Sequence, residues 1–148
     1  MSEAYYQDPY GASGTAARWN PKGTRMIYAT CSPSLALLEY LCIRGTAVSS
    51  RRWYMITFDI ADETLVGTLD ADSLLSGWDA LPHGRATQDF GKAWLREREF
   101  PFLRVPSARL DIAFYPEEFN ILINPDFPDI TRWLRVADCK AFRYLLNR

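Results

Sequence analysis

Short apolar segments, separated by proline, glycine, asparagine and aspartate, recur along the chain. Most are rich in aromatic and β-branched residues and are bounded by turn-forming residues, a pattern typical of strands. These segments predict strands over residues 25–30, 53–60, 64–69, 102–105, 107–114 and 119–124.

Two segments have the pattern of helices instead. Ser32 and Pro33 supply an N-cap and a first-turn proline, which predicts a helix over about residues 33–43 that ends at Gly45. Apolar residues at helical spacing and a charged end predict a second helix over residues 86–98.

Three segments stay ambiguous. Residues 72–80 fit a short helix or a turn, and residues 133–136 and 142–146 fit either a strand or a short helix.

There are no repeats, low-complexity tracts or linkers, so the whole chain, residues 1–148, is expected to be one domain. The predicted fold class is α+β, a single compact domain with mixed, mainly antiparallel sheets and flanking helices.

Composition excludes several classes of protein. The 148 residues include 17 Lys and Arg and 18 Asp and Glu, a formal net charge of −1, so no general attraction to nucleic acid or anionic membranes is expected. A chain of this length buries enough surface to fold without metal or disulfides. It has no apolar run long enough to span a membrane, and its first residues do not resemble a signal peptide, so we expect a cytoplasmic protein.

The histidine and cysteine content disfavours metal and hydrolase chemistry. His83 is the single histidine and falls in a predicted loop, so a catalytic triad is not expected. The three cysteines, Cys31, Cys42 and Cys139, form no zinc-binding spacing and fit reduced thiols. No metal site is predicted.

Glu39 is the most unusual residue of the first helix. This helix is apolar on nearly every side, which predicts that it is buried, and Glu39 is the one acidic residue within it. A buried carboxylate is seldom left unpaired. Two interpretations remain open: Glu39 carries a function, or it forms a structural ion pair with an arginine or faces solvent at the helix edge.

Other candidates give weaker signals. Arg18 beside Trp19 suits bidentate binding of a phosphate or carboxylate, although an arginine-rich chain supplies such residues by chance. Tyr28 fits an ordinary core position. Residues 11–14 lack the established phosphate-loop motifs, and Ser107 fits a turn-capping hydroxyl. Exposed, solvated surfaces are expected at residues 51–52 and 96–98.

In combination, several short segments resemble the RES domain family. They occur in the family's order over about residues 8–130, and the three residues for which the family is named would be Arg18, Glu39 and Ser107. The matching segments are residues 18–24, 27–29, 32–39, 78–79, 91–94, 103–107, 116–120 and 122–125.

The resemblance implies a fold related to ADP-ribosyltransferases and a toxin of a bacterial type II toxin–antitoxin pair that consumes NAD+ as substrate, without a bound cofactor. It also implies a helix-turn-helix, Xre-like antitoxin as partner, with nucleic acid contacted only through that antitoxin. Whether the protein forms a homodimer stays open.

The site that the resemblance implies has five members. Glu39 would stabilise a positively charged ribose during cleavage of the nicotinamide–ribose bond, a task suited to a carboxylate. Arg18 would hold the diphosphate and Tyr28 would stack on nicotinamide, and these two complete the predicted catalytic set with Glu39. Ser107 and Asn20 would bind the substrate. Three alternatives remain: transfer of ADP-ribose to water or phosphate, transfer to a protein, or an inactive module that binds an antitoxin.

Overall fold

A four-stranded sheet and a two-stranded sheet organise the part of the chain that the computed structural model describes, residues 1–2 and 5–147. The strands, in chain order, are β1 (Ile27–Thr30), β2 (Trp53–Ile60), β3 (Val66–Thr68), β4 (Phe102–Val105), β5 (Asn120–Ile123) and β6 (Leu134–Phe142). The helices are α1 (Pro33–Arg44), α2 (Arg85–Glu97) and the short α3 (Ile130–Trp133).

The larger sheet has the strand order β1-β5-β4-β3. Strands β1 and β5 are antiparallel, as are β5 and β4, whereas β3 runs parallel to β4. The smaller sheet pairs β2 with β6 in antiparallel orientation. This mixture of helices and mainly antiparallel sheets confirms the predicted α+β class.

The core lies around the two central strands of the larger sheet. Phe102 and Leu103 are consecutive in β4, and both are buried, as are Leu122 and Ile123 in β5. Successive side chains of a strand point to opposite faces, so both faces of the sheet are covered here. Trp19 and Trp94 belong to the cluster on one face.

Local signals set the ends of α1 as predicted. The Ser32 side chain accepts a hydrogen bond from the Leu35 backbone N–H, Pro33 opens the helix, and Gly45 follows its last residue with φ 58°. The prediction that this helix is buried is wrong, because Leu35 is its one buried residue, and Ile43 is 62% exposed. An apolar composition on every side does not fix how many elements pack on a helix, and α1 buries one side only.

Two further segment predictions need correction. Residues 107–114 form a turn and the 3-10 helix Ile112–Phe114 instead of a strand, because side chains compete for the backbone: the Ser107 hydroxyl accepts from Arg109 N–H, and the Asp111 carboxylate accepts from Ala113 N–H. The strand expected over residues 64–69 shortens to β3, because Asp62 caps the 3-10 helix Glu63–Leu65.

Candidate active site

The carboxylate of Glu39 lies where three elements of the fold meet. Its Oε1 accepts hydrogen bonds from Ser107 Oγ at 2.6 Å and from Asn120 Nδ2 at 2.7 Å. Its Oε2 lies 3.6 Å from Arg109 Nε, and the Glu39 side chain is 21% exposed. One carboxylate oxygen is therefore fixed by two neutral donors, and the other faces a cation beyond hydrogen-bonding distance.

Strand pairing explains how these residues come together. Asn120 opens β5 and pairs with Thr30 at the end of β1, three residues before α1 begins. Asn120 also pairs with Val105 at the end of β4, which places Ser107 close by. The residues around Glu39 are thus held at one end of the strands β1, β5 and β4.

Tyr28 on β1 is fixed at its hydroxyl end. The hydroxyl donates to Asn20 Oδ1 at 2.5 Å and accepts from the Trp19 backbone N–H at 3.2 Å. Burial raises the pKa of Tyr28, while the Trp19 hydrogen bond and the positive charge of Arg18 act in the opposite direction. The residue is nevertheless 40% exposed, so the aromatic ring is the part that a ligand can reach.

The Asn20 side chain forms hydrogen bonds that link residues within the segment that precedes β1. It is 1% exposed, and its Nδ2 donates to the carbonyl oxygens of Thr15 and Thr24, each at 2.9 Å. With its Oδ1 accepting from Tyr28, the side chain is engaged at both ends. Direct binding of a substrate by Asn20 stays a prediction, and the geometry favours a positioning role instead.

Arg18 is held by backbone carbonyls. Its Nη1 donates to Trp78 O at 2.5 Å and to Ala80 O at 3.1 Å. Burial is the main cause that lowers the pKa of the Arg18 guanidinium, and the positive charge of Arg109 adds to it. The negative charges of Asp79 and Glu39 act in the opposite direction. Arg18 and Arg109 therefore lie within electrostatic reach of each other and of Glu39.

The close approach of α2 supports the segment that carries Arg18. Trp19 packs against the rings of Trp78 and Phe90, with centroids 6.4 and 5.7 Å away. A Cβ atom on Gly91 would lie 1.7 Å from the Trp19 carbonyl oxygen, so only glycine permits this contact. Gln88 of the same helix donates to Ala17 O at 3.0 Å.

The structure joins Ser107 to Glu39 by a hydrogen bond and places Arg18 within electrostatic reach of both Glu39 and Tyr28. It adds two residues that the sequence did not predict. Asn120 lies within a segment quoted for the family resemblance, but no role was predicted for it. Arg109 follows Ser107 by two residues and carries no local signal. Both are identified only by the long-range contacts with Glu39.

The remaining candidates lie apart from this group. His83 is exposed in a loop, and the arginines of residues 51–52 and 96–98 are exposed. Cys31, Cys42 and Cys139 are free thiols. The Asp8 carboxylate lies against Gly11, which disfavours an anion at residues 11–14.

Residues 1–2 and 5–147 contain neither a membrane-spanning helix nor a metal-binding cluster. In this part of the chain, no helix is long and apolar enough to cross a membrane. The same residues contain no group of three or more His, Cys, Asp or Glu side chains that could hold a metal ion.

Comparison with known proteins shows the class to which this fold and site belong. Residues 2–146 match the RES domain, and the chain belongs to the RES domain family. It is 36% identical over 121 residues to a protein of a Sphingobium species named Prs ADP-ribosylating toxin, covering 80% of this chain and 72% of that protein.

Two further relatives carry the name Toxin Res. The Yersinia enterocolitica protein is 32% identical over 116 residues, which are 78% of this chain and 72% of that protein. The Photorhabdus laumondii protein is 31% identical over 127 residues, which are 86% of this chain and 78% of that protein. The family match and the names of these relatives confirm the resemblance to the RES domain family.

Proposed function

We propose that this RES domain protein is a toxin that cleaves the nicotinamide–ribose bond of NAD+. The observation that carries the proposal is the fixed carboxylate of Glu39, which two neutral donors hold at Oε1 and which lies within electrostatic reach of Arg18. The names of the relatives support a toxin, and that of the Sphingobium protein supports chemistry on ADP-ribose.

Glu39 stabilises the charge that develops when the nicotinamide–ribose bond is cleaved. The C1′–N bond breaks, its electron pair stays on the nicotinamide nitrogen, and neutral nicotinamide leaves without needing a proton. Positive charge then develops on the ribose, and Glu39 stabilises it through Oε2 while bonding to the ribose hydroxyls. No general acid is required, which agrees with a site that has no histidine within the described residues.

The neighbouring residues bind and orient the substrate. Arg18 holds the diphosphate through charge-assisted hydrogen bonds, for which its Nε and Nη2 remain after Nη1 has bonded to the backbone. The exposed ring of Tyr28 stacks on nicotinamide. Ser107 and Asn20 act indirectly: Ser107 fixes Glu39, and Asn20 fixes Tyr28.

A nucleophile then attacks C1′, and the acceptor is decided by what reaches the far side of the ribose. If the nucleophile is water, the protein is a glycohydrolase, and if it is phosphate, the protein is a phosphorylase. If the nucleophile is a side chain of another protein, the enzyme is an ADP-ribosyltransferase. The name of the Sphingobium relative favours transfer to a protein as the second candidate. Both share the first step and the same residues.

An enzyme that consumes NAD+ harms its own cell unless it is restrained. We therefore infer that a small helix-turn-helix, Xre-like protein binds this chain and that the two form a type II toxin–antitoxin pair in the cytoplasm. Expression of the toxin alone should arrest growth, and co-expression with the adjacent gene product should restore growth and yield a complex. Two proteins that never associate would contradict this inference.

The test of the enzymatic proposal uses purified protein, freed of any partner, with NAD+ in the presence and absence of a cell lysate. Free nicotinamide without protein labelling supports hydrolysis or phosphorolysis, and labelled protein supports transfer. If neither accumulates, the enzyme proposal fails and the binding-module alternative replaces it.

Glu39→Gln separates the catalytic and structural interpretations. A catalytic role predicts a loss of roughly 10²-fold or more in turnover, since one stabilising group for the developing charge is removed. The midpoint of thermal unfolding should change little. The matched control is Glu117→Gln, an exposed glutamate. Near-normal turnover with a lowered midpoint would assign Glu39 to a structural ion pair and remove it from the mechanism.

A further inference from the structure

Among the described residues that surround Glu39, Arg109 is the one that neither the motif pattern nor the proposed mechanism uses. It lies on the turn after β4, where its backbone N–H donates to Ser107 Oγ at 3.1 Å. Its Nε is 3.6 Å from Glu39 Oε2, and its side chain is 20% exposed. A cation thus faces the carboxylate oxygen that the proposed reaction needs.

The contact between Arg109 and Glu39 is weak by its geometry. At 3.6 Å, the Nε–Oε2 distance is too long for a hydrogen bond, and partly exposed ion pairs of this kind contribute little to the stability of the fold, although the positive charge of Arg109 still offsets the negative charge of Oε2. Oε1 is different, because Ser107 and Asn120 hold it at hydrogen-bonding distance. Arg109 can therefore leave Glu39 without releasing the carboxylate from its position.

A diphosphate is a better partner for Arg109 than Glu39 is. A guanidinium binds phosphate oxygens through two parallel charge-assisted hydrogen bonds, whereas its contact with Glu39 in this structure has no hydrogen bond. Arg18, the predicted diphosphate ligand, lies within electrostatic reach of Arg109. A dianion between the two guanidiniums also relieves the repulsion of their like charges.

We propose that Arg109 is a specificity-determining residue that couples diphosphate binding to the release of Glu39. Without a diphosphate, Arg109 neutralises Oε2 of Glu39. When the diphosphate of a dinucleotide binds Arg18 and Arg109, Oε2 becomes free for the ribose. Substrates that lack a diphosphate leave Arg109 on Glu39 and are cleaved slowly. This inference rests on the proposed function for its catalytic part.

The first test compares two substrates, NAD+ and nicotinamide riboside, which carries no phosphate. We expect Arg109→Gln to lower kcat/KM for NAD+ at least about tenfold, mostly through KM, since charge-assisted hydrogen bonds are lost. Cleavage of nicotinamide riboside should increase, because Glu39 is no longer neutralised, and an unchanged rate would contradict the coupling between diphosphate binding and Glu39. The matched control is Arg96→Gln, an exposed arginine of α2, which should change neither value.

The second test is a binding measurement that requires no turnover, with ADP as the probe and adenosine as its uncharged comparison. Arg109→Gln should weaken ADP binding about tenfold and leave adenosine unchanged. Glu39→Gln should tighten ADP binding, because Arg109 loses its competing partner, and this gain should vanish in the double variant with Arg109→Gln.

The outcomes separate the two claims. If unmodified protein does not cleave NAD+, the proposed function fails, yet the ADP measurements still test Arg109. If Arg109→Gln binds ADP as tightly as unmodified protein, or lowers kcat/KM for both substrates equally, Arg109 is only structural and the inference is overturned.

Discussion

Ser107 donates its hydroxyl proton to Glu39 Oε1 at 2.6 Å, although 68 positions separate the two residues along the chain. The Ser107 hydroxyl oxygen in turn accepts a hydrogen bond from the Arg109 backbone N–H at 3.1 Å, and Ser107 is 3% exposed. One hydroxyl therefore fixes both the carboxylate and the turn that follows it. Ser107 is better placed to position Glu39 than to contact a ligand itself.

Ser107→Ala tests this positioning role. The substitution leaves Glu39 Oε1 with one donor and the Arg109 N–H without an acceptor. Each lost hydrogen bond costs roughly 1 kcal/mol, so the free energy of unfolding should fall by about 2 kcal/mol in urea titrations. The kcat for NAD+ cleavage should fall more than KM rises.

The control for Ser107→Ala is Ser34→Ala, an exposed serine near the start of the helix that carries Glu39. It should leave kcat unchanged and alter stability by less than about 0.5 kcal/mol. If Ser107→Ala lowers stability without lowering kcat, Ser107 supports the fold but does not position the carboxylate.

Tyr28→Phe should destabilise the protein at neutral pH. The Asn20 side chain loses a donor and the Trp19 N–H loses an acceptor, and Asn20 is fully enclosed, so the free energy of unfolding should fall by about 1–3 kcal/mol. The exposed Tyr5→Phe is the control.

The stability difference between Tyr28 and Tyr28→Phe protein should shrink in alkaline solution. The pKa of Tyr28 is raised in the folded state, so above about pH 10, where an unfolded tyrosine ionises, the unfolded chain binds fewer protons than the folded one. Stability contributed by Tyr28 is present below that pH and is lost as the pH rises through this range. Urea titrations between pH 8 and 11 measure the effect, and a constant difference would contradict it.

Gly91→Ala should damage both stability and the site. The new Cβ would lie 1.7 Å from the Trp19 carbonyl oxygen, so α2 or the segment of Arg18 has to move. Such overpacking typically costs about 1–3 kcal/mol, and a backbone contact this close predicts the upper end. Gly84→Ala is the control, since a Cβ there meets nothing within 4 Å. An unchanged thermal midpoint for Gly91→Ala would show that α2 does not pack on Trp19.

Local signals in the sequence predicted local structure well. Ser32, Pro33 and Gly45 act on their own neighbours, so the ends of α1 followed from the sequence, and the segments assigned to β2 and β4 matched without change. Burial of α1 did not follow, because it depends on how many elements pack against the helix. The strand expected over residues 107–114 failed because side-chain hydrogen bonds replaced a strand ladder there.

The site was only partly predictable. Family resemblance predicted Arg18, Tyr28 and Glu39 as catalytic residues. The distances between them depend on how β1, α1 and the segment before β1 pack, which the resemblance does not give. Arg109 and Asn120 contact Glu39 across 70 and 81 positions, which no local pattern encodes. Substrate binding by Asn20 stays a prediction, and its burial and its hydrogen bond with Tyr28 depend on packing that the sequence does not reveal.

Asn120→Asp tests whether Glu39 has to be ionised for activity. Asn120 Nδ2 lies 2.7 Å from Glu39 Oε1, so an aspartate of the same shape would set two carboxylates against each other. Two such groups cannot both ionise readily, and the pair retains one proton up to a higher pH. NAD+ cleavage should therefore be lost at a higher pH than in unmodified protein when the solution is acidified from about pH 8, and the shift should be about one unit or more. Asn120→Ala is the control, because it removes the hydrogen bond without adding a charge, so it should lower kcat at every pH and move the acid limb less than Asn120→Asp does. If the pH profile of kcat/KM for Asn120→Asp coincides in shape with that of the alanine variant, an ionised Glu39 is not what the reaction requires.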